Sequence, residues 1–417
     1  MVRRLGVATL LLFCVLACGG STIEAQAPSP GAVTIAVRET AGIRRNRYPV
    51  NARVPLQRGA VTDVAQARLL FAGMEVESQM AAESKYDDGS VRWLAVDFNA
   101  TIGPVEAQTY TLEYGAGVKA AVAGRGVAIA ATTDTIDMGR VRLNASGSPL
   151  IRSLNYRKET LAQGLNGFAV TDSAGALHPL SGETPVTTEV VKPGPVYGVV
   201  RYTGRLATDG GAGAAFTVTV EMPNSKAWVK YTAVVDDPGR QFRDISFQTP
   251  FTLAAFPWLW DFGTGSWTYG SMRTPEDSVI LTQTVSARGT GHWDVRTGPK
   301  GKELPYEVVA GSRPAIAEGW GHLQDAGEVI AFGFDQFGRQ PGRYSIALDG
   351  KGGNVYRFAP ERPVARHALT IFQHYVASPT PIGAVTSPPS MLNPLVAVCD
   401  RAQYVKAGVP VPADARR

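Results

Sequence analysis

The residues best suited to chemistry lie between positions 256 and 293. The stretch "FPWLWDFGTGSWTYGSMRTPED" (256–277) gathers tryptophans, a tyrosine, an aspartate and an arginine around a Gly-rich turn, and "GTGHWDV" follows with His292. In an extended chain the period of two puts Trp258 and Trp260 on one face, and Trp267 and Tyr269 on one face after the turn. Aromatic rings stack on the apolar faces of sugars, while Asp261 and Arg273 can take hydroxyls or a carboxylate. Trp258, Trp260, Asp261 and Trp267, with His322 after "EGWG", are therefore candidate substrate-binding residues. One reaction that side chains of these types could serve is β-elimination on a uronate. It needs a cation beside the carboxylate, a base for the C5 proton and an acid for the leaving oxygen, and Arg273, His292 and Tyr269 are side chains of those types. The same rings would equally fill a sandwich core, since large aromatics are mostly buried, and a histidine can be purely structural.

Other chemistries find little support. The five histidines (178, 292, 322, 367, 374) form no His-Glu-x-x-His pair and no Cys/His knuckle, and no EF-hand loop occurs, so no metal site is expected. Gly-x-Ser-x-Gly, Walker A and dinucleotide fingerprints are absent, so no cofactor is expected either. The net charge of +5 is spread along the chain without a dense Lys/Arg stripe, which argues against nucleic acid. It is compatible with an acidic polysaccharide as partner.

The elements that must position these residues are strands. With 45 Gly and 28 Pro, turn punctuation is frequent, and runs such as "PVYGVVRYTGRL", "AAFTVTVEM", "AWVKYTAVVDD" and "RHALTIFQHYVA" are rich in Val, Thr, Tyr and Phe. Separated by Asp-Gly, Asp-Pro-Gly and Gly-Gly signals, they predict a large antiparallel β-sandwich over 118–377. Shorter alternating runs predict a separate small β-unit over 35–117, closed by "TYTLEY" before the small-residue stretch "GAGVKAAVAGRGVA". Helix is expected only at "DVAQARLL" (63–70) and in a Pro-rich tail, 378–417, where "NPLVAVCDRAQYVKAGV" has helix-like spacing.

The N-terminus reads as an export signal: Arg3 and Arg4, an apolar run from Leu5 to Ala17, then Ala25-Gln26-Ala27 as a small-x-small cleavage site, followed by a linker at 28–34. The run is short for a membrane span, so no transmembrane segment is expected. Val15-Leu16-Ala17-Cys18 resembles a bacterial lipobox and offers a lipid anchor at Cys18 as the alternative processing route. Either route predicts an exported protein, secreted, periplasmic or held at the outer membrane. Cys399 is the one thiol certain to remain, so no internal disulfide framework is expected.

In "YDDGSVRWLAVDF" (86–98) the adjacent carboxylates belong to a hairpin-type turn, because Asp-Gly accepts positive φ and Asp bonds its own backbone. Together with "YPVNARVPLQRGAV" and "TYTLEYG", this stretch resembles the N-terminal RIFT barrel of the exo-rhamnogalacturonan lyase family, the YetA-like proteins. "GWGHLQDAGEVIAFGFDQFGRQ" (319–340), "NVYRFAP" and "ARHALTIFQHYV" are similar to that family's central β-domain, with Arg366-His367 matching a basic-His pair in a strand. The tail looks like the segment leading into the family's helical toroid, which would begin where this chain stops, at Arg417. The resemblance implies an all-β protein acting on acidic polysaccharide by elimination, or a non-catalytic glycan-binding or assembly subunit that keeps only the β-domains. No catalytic residue is carried over from it.

Overall fold

A computed structural model describes residues 31–122, 124–132, 134–145, 151–154, 159–160, 166–181, 186–206, 213–251, 253–265, 267–310, 315–376 and 387–413. The export signal, Cys18 and residues 28–30 lie outside them; residues 31–34, read from sequence as linker, already belong to the strand Gly31–Arg38. Among the described residues nearly all regular structure is strand, and the pairs between strands are antiparallel. No helix among them is long and apolar enough to cross a membrane.

Two sheets face each other across the larger core. One has eight strands and the other nine, the latter running from Thr187–Pro193 at one edge to the hairpin Trp258–Gly263 and Trp267–Met272 at the other. Alternation along each strand sends Val218, Val220, Tyr231, Leu323, Phe332 and Ile371 inward with Trp258, Trp260 and Phe262. This is the period-two burial that the Val/Thr/Tyr/Phe composition predicts.

A smaller unit carries its own core. The three strands Arg45–Pro55, Val91–Ile102 and Ser78–Lys85 pack with a five-stranded sheet that contains Gly31–Arg38 and Ala107–Tyr114. In Val91–Ile102, Leu94, Val96 and Phe98 enter that core. The opposite face meets the sandwich: Asp97, fully buried, accepts from Lys192 Nζ at 2.9 and 2.6 Å. Asp87–Ser90 does form a turn, in which Ser90 donates its N–H to Asp88 Oδ1 at 2.9 Å.

The tail differs from the sequence reading. Val396–Cys399 is a strand that adds to the edge of Gly31–Arg38, with Ile35 opposite Cys399, and only Ser387–Leu392 and Arg401–Lys406 are helical. Met391, Leu395, Cys399 and Tyr404 complete the small core. The 393–409 spacing suits a helix but also lets alternate residues enter a sheet, and the unpaired edge of the first strand settles the choice. "DVAQARLL" likewise makes only one short turn, Val64–Gln66, before the strand Ala67–Phe71.

The helix Ser387–Leu392 is held from the small unit. Arg45, 2% exposed, donates to Ser390 O at 2.9 Å and to Asn393 O at 2.7 Å, and its remaining bonds go to Glu39 Oε1. Tyr48 Oη–H also donates to Ser390 O, at 2.8 Å. Burial pushes the Glu39 carboxyl up, but the Val105 N–H, the Arg45 guanidinium and the N–H groups of Ala41 and Gly42 outweigh it and hold the group at about 2. Removing one partner of such a pair leaves a buried charge, so Arg45→Met is expected to cost about 3–5 kcal/mol by denaturant titration. Because the folded pKa lies below the ordinary 4.5, the contribution of Glu39 is complete above pH 4.5 and is lost as pH falls toward about 2. Melting curves over that window should lose this slope in Glu39→Gln.

Candidate functional site

A groove of about 520 Å³ opens where the 315–320 segment, the 334–339 turn and the helix Ser387–Leu392 meet. Its floor and walls include Ala317, Glu318, Trp320, Asp335, Gln336, Arg339 and Asn393. Trp320 begins the strand Trp320–Gln324, which pairs with Trp258–Gly263 and Val329–Phe334 on either side. Its half-buried indole lies against Gly263, where a Cβ would fall 2.2 Å from Trp320 Cε2, so glycine is required for the ring to lie down. Glu318 accepts the indole N–H and fixes the ring's rotation. Gly333, opposite Trp320, lets Leu392 of the helix approach: a Cβ there would meet the Leu392 side chain at 3.1 Å.

The floor is positioned from beneath. Gln283, fully buried in the strand Asp277–Val285, donates from Nε2 to the carbonyls of Thr284 and His292 at 3.1 Å and of Ala315 at 3.2 Å. Its Oε1 accepts from Ala317 N at 2.8 Å. One satisfied amide thus sets the height of the 315–317 backbone under the groove.

Next to Trp320 on the same sheet face lies a row of directly opposed residues: Tyr269, Asp261, His322, Ala331, His374 and Trp228. Asp261 and His322 are buried, 6% and 2% exposed, and His322 Nδ1 stands 2.7 Å from Asp261 Oδ1. The His322 ring meets Trp320 edge-on at 5.7 Å. His322 Nε2 and His374 Nδ1 are buried without hydrogen-bond partners. Burial, followed by the charges of Lys226, Arg140 and His322, pushes His374 down to about 4. A neutral imidazole in this row can accept or donate one hydrogen bond without bringing a charge into the sheet face.

Of the residues singled out from sequence, the structure brings Asp261 and His322 together, sets Tyr269 opposite Asp261 on the edge strand, and holds Arg273 and His292 apart from them. Trp258 and Trp260 are each 1% exposed and belong to the sandwich core, not to a groove, because their face of the strand is the inner one. The backbone of Trp267 pairs with Gly263; its side chain lies outside the described residues. Tyr269 is half exposed on the edge strand, and its carbonyl accepts from Tyr306 Oη–H at 2.7 Å. Arg273 is exposed in the turn after that strand, its N–H bonded to Asp277 Oδ2 at 2.7 Å. His292 is exposed at the far end of the ribbon, opposite Thr284. The strand Asp277–Val285 lies between Arg273 and His292, so they stand on the order of 20–25 Å apart at about 3.3 Å per residue. The proposed elimination trio of Arg273, His292 and Tyr269 does not converge. Sequence reasoning missed Glu318, Trp320, Asp335, Arg339 and Gln283. The available signal was an acid two residues before a tryptophan in "EGWG" and the polar run "DQFGRQ". Among the described residues no group of three or more His, Cys, Asp or Glu could hold a metal ion.

No family model matches the sequence, and no curated protein does. Solved structures do match. The chain is similar to a protein in the glycosyl hydrolase family 38 from Enterococcus faecalis, with a TM-score of 0.53 at 12% identity, covering 88% of this chain and 47% of that one. It is also similar to an alpha-mannosidase from Enterococcus faecalis, with a TM-score of 0.50 at 11% identity, covering 88% of this chain and 46% of that one. The likeness is one of fold, and the chain spans less than half the length of either.

Two outcomes test this geometry. Gln283→Leu removes a donor and an acceptor that the 315–317 backbone uses, and should cost about 3 kcal/mol in chemical denaturation. For His374, the unfolded chain binds a proton near pH 6.5 that the folded chain refuses until about pH 4, so stability falls as pH drops through that window. Melting curves of His374→Phe should be flatter between pH 6.5 and 4 than those of the wild type.

Proposed function

We propose that this is an exported carbohydrate-binding β-protein whose ligand lies in the groove over Trp320. The observation that carries the reading is the indole itself: laid against Gly263, fixed in rotation by Glu318 and lining an open groove between polar side chains. A flat aromatic face with carboxylates, amides and a guanidinium at its rim matches the two-sided chemistry of a sugar ring, apolar on its C–H face and polar at its edge. The fold likeness to glycosyl hydrolase family 38 structures supports a carbohydrate context without fixing a reaction. An elimination reaction would need a cation, a base and an acid at one point, and Arg273 and His292 stand at opposite ends of a strand. That trio therefore does not supply the reaction, and the reading proposed for the groove is glycan binding.

Glycan-array screening followed by calorimetry tests this. The wild type is expected to bind at least one oligosaccharide. Trp320→Ala should weaken that binding by roughly ten- to a hundredfold, the worth of one buried aromatic contact. Arg273→Ala should leave it within about twofold, as expected of a surface substitution away from the site. Binding indifferent to Trp320, or no binding to any glycan, would remove the proposal.

A further inference from the structure

We infer that the groove takes an uncharged, hydroxyl-rich sugar and rejects a uronate, an inference that rests on the carbohydrate reading above. The lining decides it. Glu318 and Asp335 both contribute to the groove, against the single guanidinium of Arg339, and the remaining polar groups, Gln336 and Asn393, are neutral amides. The lining thus carries more carboxylate than cation.

Each carboxylate is oriented by its neighbours yet keeps an acceptor. Glu318 uses Oε2 for the Trp320 indole N–H, and Asp335 uses Oδ1 for Gln336 N at 3.0 Å. Glu318 Oε1 and Asp335 Oδ2 have no hydrogen-bond partner among the described residues. Both acids are anchored through the backbone as well: Glu318 N donates to Gly263 O at 2.7 Å and Asp335 N to Thr370 O at 3.0 Å. The result is two carboxylate acceptors lining one groove beside an aromatic platform. Ionised carboxylates accept only, so their complement is a donor, and sugar hydroxyls are donors. A ligand carboxylate would add a third negative charge, and like charges within a few ångströms disfavour one another. Arg339 can pair with one carboxylate at most, whereas a hydroxyl-rich sugar uses Glu318, Asp335, the amides and Arg339 together.

The test is calorimetry at neutral pH with the full chain. It compares a panel of uncharged oligosaccharides, such as manno-, xylo- and cello-oligosaccharides, with oligogalacturonate of the same length. An uncharged oligosaccharide is expected to bind, with oligogalacturonate at least about tenfold weaker. Glu318→Gln combined with Asp335→Asn should weaken the uncharged ligand by about tenfold or more, as loss of charge-assisted hydrogen bonds does. Both positions are on the surface of the groove, and an unchanged circular dichroism spectrum would confirm that the double variant folds. If oligogalacturonate binds as tightly as any uncharged sugar and is lost in Trp320→Ala, the inference falls while the glycan site stands. The inference also falls if the double variant binds the uncharged ligand as the wild type does. No binding to any member of either group overturns both.

Discussion

A buried guanidinium is tolerable only when its donors are used, and Arg45 uses them on two parts of the chain at once. Glu39 neutralises it within the small unit, while Ser390 O and Asn393 O take the outward-facing donors. The carbonyls at the end of Ser387–Leu392 need such donors, and Tyr48 Oη–H shares Ser390 O with Arg45. Arg45 and Tyr48 together fix a helix contributed from hundreds of residues away in sequence. Pro389 and Leu392 on that helix, with Asn393 just after it, form one wall of the groove, so its shape depends in part on a charge pair outside the groove.

The second constraint is parity. Along Trp258–Gly263 the even positions enter the core and the odd positions face outward, so Asp261 and Gly263 share a face with His322 and Trp320. A shift of one residue would exchange tryptophans for an aspartate in the core. The outward face is no ordinary solvent face: Trp228 from it enters the core of the small unit, edge-on to Tyr48 at 5.4 Å. Buried polar residues such as Asp261, His322 and Gln324 are thus carried on the reverse side of a hydrophobic sheet.

The all-β class and the alternation of individual strands were legible because period two in Val, Thr, Tyr and Phe is a local property. The Asp87–Ser90 turn was legible for the same reason. Asp261 and His322 were both visible as candidates, though nothing local says that they pair. Trp258 and Trp260 were placed on one face correctly, but sequence gives no sign of which face is the core. The groove was least legible. It needs Trp320–Gln324 to pair between two particular strands, Gln283 to reach up from the opposite sheet, and the chain after position 386 to return to Arg45. Each is a long-range choice settled by burial and hydrogen-bond satisfaction, and the helical spacing of 393–409 pointed the other way.

The central claim is that the Trp320 face receives a sugar. A crystal structure of the protein soaked with an oligosaccharide identified by array screening tests it most directly. The account predicts a pyranose ring stacked on the free face of Trp320, with hydroxyls bonded to Glu318 and Asp335. Sugar density seated instead beside Tyr269, Arg273 or His292, with the groove filled by solvent alone, would contradict it.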